Sequence, residues 1–264
     1  MQVWAVANQK GGVGKTTTAV SLAGLLAQRG RRTLLVDLDP HGSLTAYFGH
    51  DPDSITDSVY ELFRDDAPAV GALLRDSDVP ELAVLPASTA MVTLDRQLGA
   101  QAGKGLVIKR ALDSVRHDFD HVIIDCPPVL GILMVNALAA CEQLIIPVQT
   151  EFLAIKGLER ILHTLQMIGR SRGDGLRHVI VPTMFDRRTR ASIDALRSLR
   201  RDYGSQVWEA VVPVDTQFRD ASRQHLPLSV LNPRARGAAA YAALLNSLLA
   251  QGEVPKLRVI HGHG

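Results

Sequence analysis

A chain of 264 residues with 46% hydrophobic content is long enough to bury a sizeable core and suits one α/β domain. Its formal net charge of +2 is nearly balanced, so any basic surface for nucleic acid must be local. Two cysteines, Cys126 and Cys141, exclude a disulfide framework and read as buried thiols. No apolar run reaches the roughly 18 residues of a membrane span, and the chain enters its first strand without a leader, so we expect a cytoplasmic protein, with nucleoid-associated or polar placement open.

The first predicted strand covers 3–7. It is followed by Gln9-Lys10-Gly11-Gly12-Val13-Gly14-Lys15-Thr16-Thr17 and an amphipathic helical pattern with Ala19, Leu22, Ala23 and Leu26, closing at Gly30. Strand, glycine loop and helix start are the parts a phosphate needs. Glycines at 11, 12 and 14 leave no side chains in the way and allow backbone angles closed to other residues, so successive N–H groups can turn onto phosphate oxygens. The helix beginning near Lys15 adds its positive end. Lys15 is placed to reach the β- and γ-phosphates, and the Thr16 hydroxyl to ligate a Mg2+ ion bridging them. We expect a nucleoside triphosphate site for ATP and Mg2+, cradled by Gly11, Gly12, Val13, Gly14, Lys15, Thr16 and Thr17.

A buried strand over 33–37 closes on Asp37-Leu38-Asp39-Pro40. Ligands of open α/β sheets gather at the carboxyl ends of strands, so both carboxylates are expected beside the loop. Residues 50–78 turn acidic and broken and read as a surface excursion. A strand over 82–85, closing on Leu-Pro-Ala, and helices over 89–98 and 105–117 come next. The strand ending Val122-Ile123-Ile124-Asp125 supplies the carboxylate that would bind Mg2+ through water. Strands over 144–148, 178–184 and 207–213 alternate with helices carrying Leu158, Ile161, Leu162, Leu165 and Ile168, and then residues 189–203. A last helix bears Tyr241, Leu244, Leu245 and Leu248. The organisation expected is one domain over 1–251 and a flexible tail over 252–264. The alternation predicts an α/β fold with a mostly parallel, doubly wound sheet and helices on both faces.

In the glycine loop, Gln9 stands where the ordinary motif has glycine, and Lys10 precedes Gly11. This resembles the deviant Walker A motif, Lys-Gly-Gly-x-Gly-Lys-Thr, of the ParA/MinD family of dimerising ATPases. Val36-Asp37-Leu38-Asp39-Pro40-His41-Gly42 resembles the family's Walker A′ segment, and the strand ending at Asp125 its Walker B strand. With weaker likeness over 178–184 and around Pro213, the resemblance spans nearly the whole chain. It implies slow ATP hydrolysis by an ATP-dependent homodimer, in which Lys10 crosses to the partner's nucleotide. By the same resemblance Asp39 helps position the attacking water, and Asp37 holds the metal shell or the switch loop. Thr183, Met184, Pro213 and Val214 would line the adenine. Lys10, Lys15 and Asp39 are thus the expected catalytic set, and Thr16, Asp37 and Asp125 the metal set.

Within the family, Val3 to Gln9, Asp39 to Ser43, Phe185 to Thr189 and Pro213 to Thr216 look like the ParA-like ParC group encoded among chemotaxis genes, and the chain is also similar to small Soj-type ParA proteins. That likeness implies positioning of a chemoreceptor array through a protein partner. The alternatives are a partition ATPase acting with a ParB-like partner on DNA, and a metabolic ATP-dependent ligase or kinase on the same fold. Helical spacing places Arg190, Arg197 and Arg201 within roughly 40° of one another. Arg188, Arg190, Arg197 and Arg219 are expected to carry DNA binding without sequence preference, weaker than in a partition ParA. Lys256 and Arg258 alone are too few for a Min-type membrane helix, and none is expected. His261 and His263 read as tail residues rather than metal ligands.

Overall fold

The computed structural model describes residues 1–98, 103–172 and 175–252. The chain runs β1 (Gln2–Val6), α1 (Lys15–Gln28), β2 (Thr33–Asp37), α2 (Ser43–Tyr47), α3 (Val70–Leu73), β3 (Arg75–Asp76), β4 (Leu82–Leu85), α4 (Leu94–Leu98) and α5 (Val107–Ser114). It continues through β5 (His121–Asp125), α6 (Ile132–Ala140), β6 (Gln143–Gln149), α7 (Phe152–Arg172), β7 (Arg177–Thr183), α8 (Arg190–Tyr203), α9 (Gln217–Arg223), α10 (Leu228–Leu231) and α11 (Arg236–Gly252). The strands form a seven-stranded sheet in the order β3-β4-β2-β5-β1-β6-β7, parallel except at the β3 edge. This is the mostly parallel, helix-covered architecture the alternation predicts.

Period-two alternation explains why both faces are covered. Val3 and Ala5 point to one core and Trp4 and Val6 to the other. Leu34 and Val36 oppose Leu35, and Val122 and Ile124 oppose Ile123. Ile108, Leu133, Leu158 and Ile161 bring α5, α6 and α7 onto the first face, while Leu22, Leu26, Tyr241 and Leu244 bring α1 and α11 onto the second.

Helix α1 differs from its predicted one-sided form. Every residue from Thr18 to Ala27 is buried, because α10 and α11 cover the side turned away from the sheet. Crowding is greatest at Gly24, where an added Cβ would lie 2.5 Å from the Cβ of Pro227. Residues 207–213 do not form the predicted strand. They meet β7 and the residues just after it through isolated bridges, Ile180 to Val207 and Phe185 to Pro213, and through the Val212 N–H, which donates to the Pro182 carbonyl at 2.8 Å. In between, Trp208 turns inward, its Nε1 donating to Ser247 on α11 at 3.2 Å, and Glu209 and Ala210 loop out. The excursion over 50–78 is also more than surface, since it supplies Val59, Phe63, Val70 and Leu73 to the core. The Ile168 side chain and the tail with Lys256, Arg258, His261 and His263 lie outside the described residues. Among the described residues no helix is long and apolar enough to cross a membrane.

His121 opens β5 at 7% exposure, and among the described residues neither ring nitrogen has a hydrogen-bond partner. Its ring meets Trp4 edge-on, centroids 5.4 Å apart. Burial and then Arg31 hold its pKa below the ordinary value, with Asp120 opposing. The unfolded chain therefore takes up this proton first, so the contribution of His121 to stability is full above about pH 6.5 and is lost as pH falls below it. His121→Phe keeps the ring contact and removes the proton site. Its melting temperature should fall about 2–4 °C less than wild type between about pH 7.5 and pH 5.5. Equal falls in both proteins, measured by calorimetry, would show that His121 does not set the acid limit.

Candidate functional site

Parallel register brings the chemistry to one edge. Val6 and Asp37 both pair with Asp125, so the carboxyl ends of β1, β2 and β5 lie level, with β6 and β7 beyond β1. From β1 the chain enters the glycine loop, where Gly12 and Gly14 take left-handed φ of 74° and 93°. A Cβ added at Gly11, Gly12 or Gly14 would meet no protein atom within 4 Å, so bare backbone faces open space. Helix α1 starts at Gly14 with no side-chain cap and no acidic residue in its first turn, which leaves its positive end to an anion. Lys15 lies over the loop with Nζ 3.4 Å from the Lys10 carbonyl oxygen. Asn8, fully buried, accepts from the Lys10 N–H at 3.0 Å and donates to the Pro147 carbonyl at 2.7 Å, fixing the loop start to β6.

Asp37 and Asp125 stand side by side and fully buried. The Thr16 hydroxyl donates to Asp125 Oδ2 at 2.6 Å, whereas Oδ1 has no hydrogen-bond partner among the described residues. Asp37 is engaged on both oxygens. Oδ1 accepts the Asp39 N–H at 3.1 Å, and Oδ2 the Thr45 N–H at 2.8 Å and hydroxyl at 2.7 Å. Burial pushes the Asp37 pKa up to about 7, and burial together with the Asp37 charge pushes Asp125 well above the carboxylate range. A divalent cation would resolve this conflict. A buried, half-satisfied carboxylate next to Thr16 and a free helix start suits Mg2+, which takes one or two protein oxygens and completes its shell from phosphate and water. Among the described residues no group of three or more His, Cys, Asp or Glu gathers into a metal centre.

Asp39 is largely covered. Its Oδ1 accepts from the His41 N–H at 3.1 Å and the His41 ring at 2.8 Å. Lys10 is ion-paired with Glu151, just past β6. Sequence reasoning did not single out Glu151, although the strand-end argument that selected Asp37 and Asp39 applies to it equally. Thr183 donates to the Val13 carbonyl at 2.8 Å, and Phe185 pairs with Pro213, so Thr183, Met184, Pro213 and Val214 converge beside the loop. The arginines are less free than their spacing suggests. Arg188 grips Asp186 through two bonds at 2.8 and 2.9 Å, Arg190 and Arg197 share Asp194 at 3.6 and 3.3 Å, and Arg201 pairs with Asp202 at 2.8 Å. Arg219 is exposed on a separate element, α9.

A phosphate loop between an interior strand of the sheet and an uncapped helix start, with a strand-end aspartate against its threonine, defines a P-loop nucleotide-binding protein. Residues 1–177 match the model of a family described as AAA domain. The sporulation initiation inhibitor protein Soj of Bacillus subtilis is 35% identical over 252 residues, 95% of this chain and 99% of Soj. The chromosome partitioning protein ParA of Myxococcus xanthus is also 35% identical, over 95% of this chain and 88% of that protein. This chain belongs to the ParA/MinD family of P-loop ATPases. Among solved structures, cobyrinic acid a,c-diamide synthase from Mycobacterium smegmatis with bound ADP and magnesium aligns with a TM-score of 0.82 at 37% identity, covering 95% of each chain.

The conflict between Asp37 and Asp125 sets a trade of stability against ligand binding. Asp125→Asn removes one buried charge and should raise the melting temperature of the ligand-free protein by about 2–4 °C at neutral pH. Adding Mg2+ and ADP should then stabilise the variant less than wild type. A variant that melts lower without ligand would contradict this electrostatic account.

Proposed function

We propose that this chain is an ATP-driven dimerisation switch that positions or segregates a cellular cargo. The observation that supports it best is Lys10, a lysine on the rim of the phosphate loop whose charge is met within its own subunit by Glu151. With Lys15 placed to cover the phosphates of its own loop, Lys10, released from Glu151, would be free to serve the nucleotide of a second copy. The loop N–H groups from Gly11 to Thr17 and the α1 start would hold the ATP phosphates, Thr16 and Asp125 would hold Mg2+, and Thr183, Met184, Pro213 and Val214 would flank the base. Bound Mg2+ would supply charge neutralisation at the phosphates. Asp39 would orient the attacking water, and to do so must loosen its bond to His41.

The relatives named for chromosome partitioning support the broader positioning role. The ParC-like segments favour a chemoreceptor array reached through a protein partner, and a DNA locus held by a ParB-like partner is the second reading. The similarity to cobyrinic acid a,c-diamide synthase supports a third, an ATP-dependent ligase. A cavity of about 630 Å³ lined by Arg200, Trp208 and Leu248 shares no residue with the phosphate loop, which offers such an enzyme little. A switch turns over ATP without a second substrate, and that distinguishes the two.

Lys15→Ala should abolish ATP binding in a titration. Lys10→Ala should bind ATP yet stay monomeric by light scattering, while Asp39→Ala should bind and dimerise but hydrolyse at least ~100-fold more slowly. Wild-type turnover in Asp39→Ala would refute its role.

For DNA, the carboxylates beside Arg188, Arg190 and Arg197 lead us to expect weak, ATP-dependent binding to random duplex that falls steeply with salt. An Arg190→Glu, Arg197→Glu double variant should show a shallower salt slope. No ATP-dependent binding at low salt would leave the partner-protein route.

A further inference from the structure

Thr45, on α2, is fully buried and joins three parts of the site. Its N–H and hydroxyl both donate to Asp37 Oδ2, at 2.8 and 2.7 Å. Its hydroxyl oxygen in turn accepts the N–H of Ala87 at 2.8 Å. Ala87 ends the Leu-Pro-Ala segment after β4, which is itself anchored by the Val59 N–H on the Pro86 carbonyl at 2.8 Å. The other oxygen of Asp37 accepts the Asp39 N–H. One carboxylate thus closes the turn between β2 and α2 from both ends, and Thr45 is where that clasp is fastened to the sheet. At the turn's apex Gly42 takes φ 62°, with Pro52 so close that a Cβ there would lie 2.4 Å from it.

We propose that Thr45 is a positioning residue for hydrolysis: through Asp37 it holds the backbone of Asp39 at the place from which that carboxylate orients water. The inference rests on the ATPase reading above. A hydroxyl is required because the atom must donate to Asp37 and accept from Ala87 at once, which valine, of the same shape, cannot do. Loss of the hydroxyl frees the Asp39 turn without touching the glycine loop, Lys15, Thr16 or Asp125. The deficit therefore falls on turnover and not on nucleotide affinity. Tyr47 supplies the control. It lies on the same short helix and its hydroxyl donates to the Leu226 carbonyl at 2.8 Å, a bond of similar length that does not involve Asp37 or Asp39.

The experiment compares kcat and KM for ATP, dissociation constants for a non-hydrolysable ATP analogue with Mg2+, and melting curves, in wild type, Thr45→Val, Thr45→Ser and Tyr47→Phe. Thr45→Val should lose at least about tenfold in kcat, with KM and analogue affinity within about twofold. Thr45→Ser should recover kcat to within about threefold, and Tyr47→Phe should keep it. Should Thr45→Val not fold, Thr45→Ala against Thr45→Ser carries the same comparison. Wild-type kcat in the valine or alanine variant, or equal losses in Thr45→Val and Tyr47→Phe, would overturn the inference alone. Absence of turnover in wild type would overturn the ATPase reading and the inference with it.

Discussion

Two buried carboxylates that repel each other at the edge of a parallel sheet are the constraint around which the site is built. The register of β2 against β5 sets Asp37 level with Asp125, and neither reaches water. The fold contains this charge in different ways on the two strands. Asp37 is surrounded by three donors from its own turn, whereas among the described residues Asp125 keeps only the Thr16 hydroxyl and has one unmatched oxygen. The asymmetry separates a carboxylate that shapes backbone from one left for a cation. A buried acceptor without a partner costs about 1–3 kcal/mol, and such a cost persists where a ligand relieves it.

The proposed switch would draw on contacts at the same edge. Two of the expected working side chains are engaged by neighbours in this arrangement, Lys10 by Glu151 and Asp39 by His41. These contacts are polar and partly exposed at Lys10 and His41, so each contributes modestly and can be exchanged when a phosphate or a second subunit offers a better partner. Rigid strands below and exchangeable contacts above are compatible with a two-state protein.

Much of the fold was legible in the sequence because the chemistry is local. Phosphate binding demands consecutive glycines, a lysine and a threonine between a strand and a helix, and parallel strands buried on both faces write themselves as short apolar runs. What could not be read depends on distant contacts. Residues 207–213 have strand composition, yet Trp208 is drawn under α11 and the pairing breaks. The run Ile132–Ala140 forms α6 although it is apolar on every side apart from Asn136, so no periodicity marks it. Thr45 and Glu151 carry no motif of their own, and their parts are set by strand ends brought together from far along the chain. The arginine spacing was read correctly as helical, but the neighbouring Asp186, Asp194 and Asp202 that blunt it were left out of that reading.

The contact between Gly24 and Pro227 has a consequence for how such a sequence can drift. Glycine in the middle of a helix costs about 1 kcal/mol relative to alanine, and α1 accepts it because α10 seats its leading proline in that notch. Two positions some two hundred residues apart thus make a single choice. A methyl at 24 needs a smaller or displaced residue at 227, and loss of the proline leaves a hole over the helix that carries the phosphate loop. Related sequences should therefore change these two positions together, and α10 should move as one piece with α1.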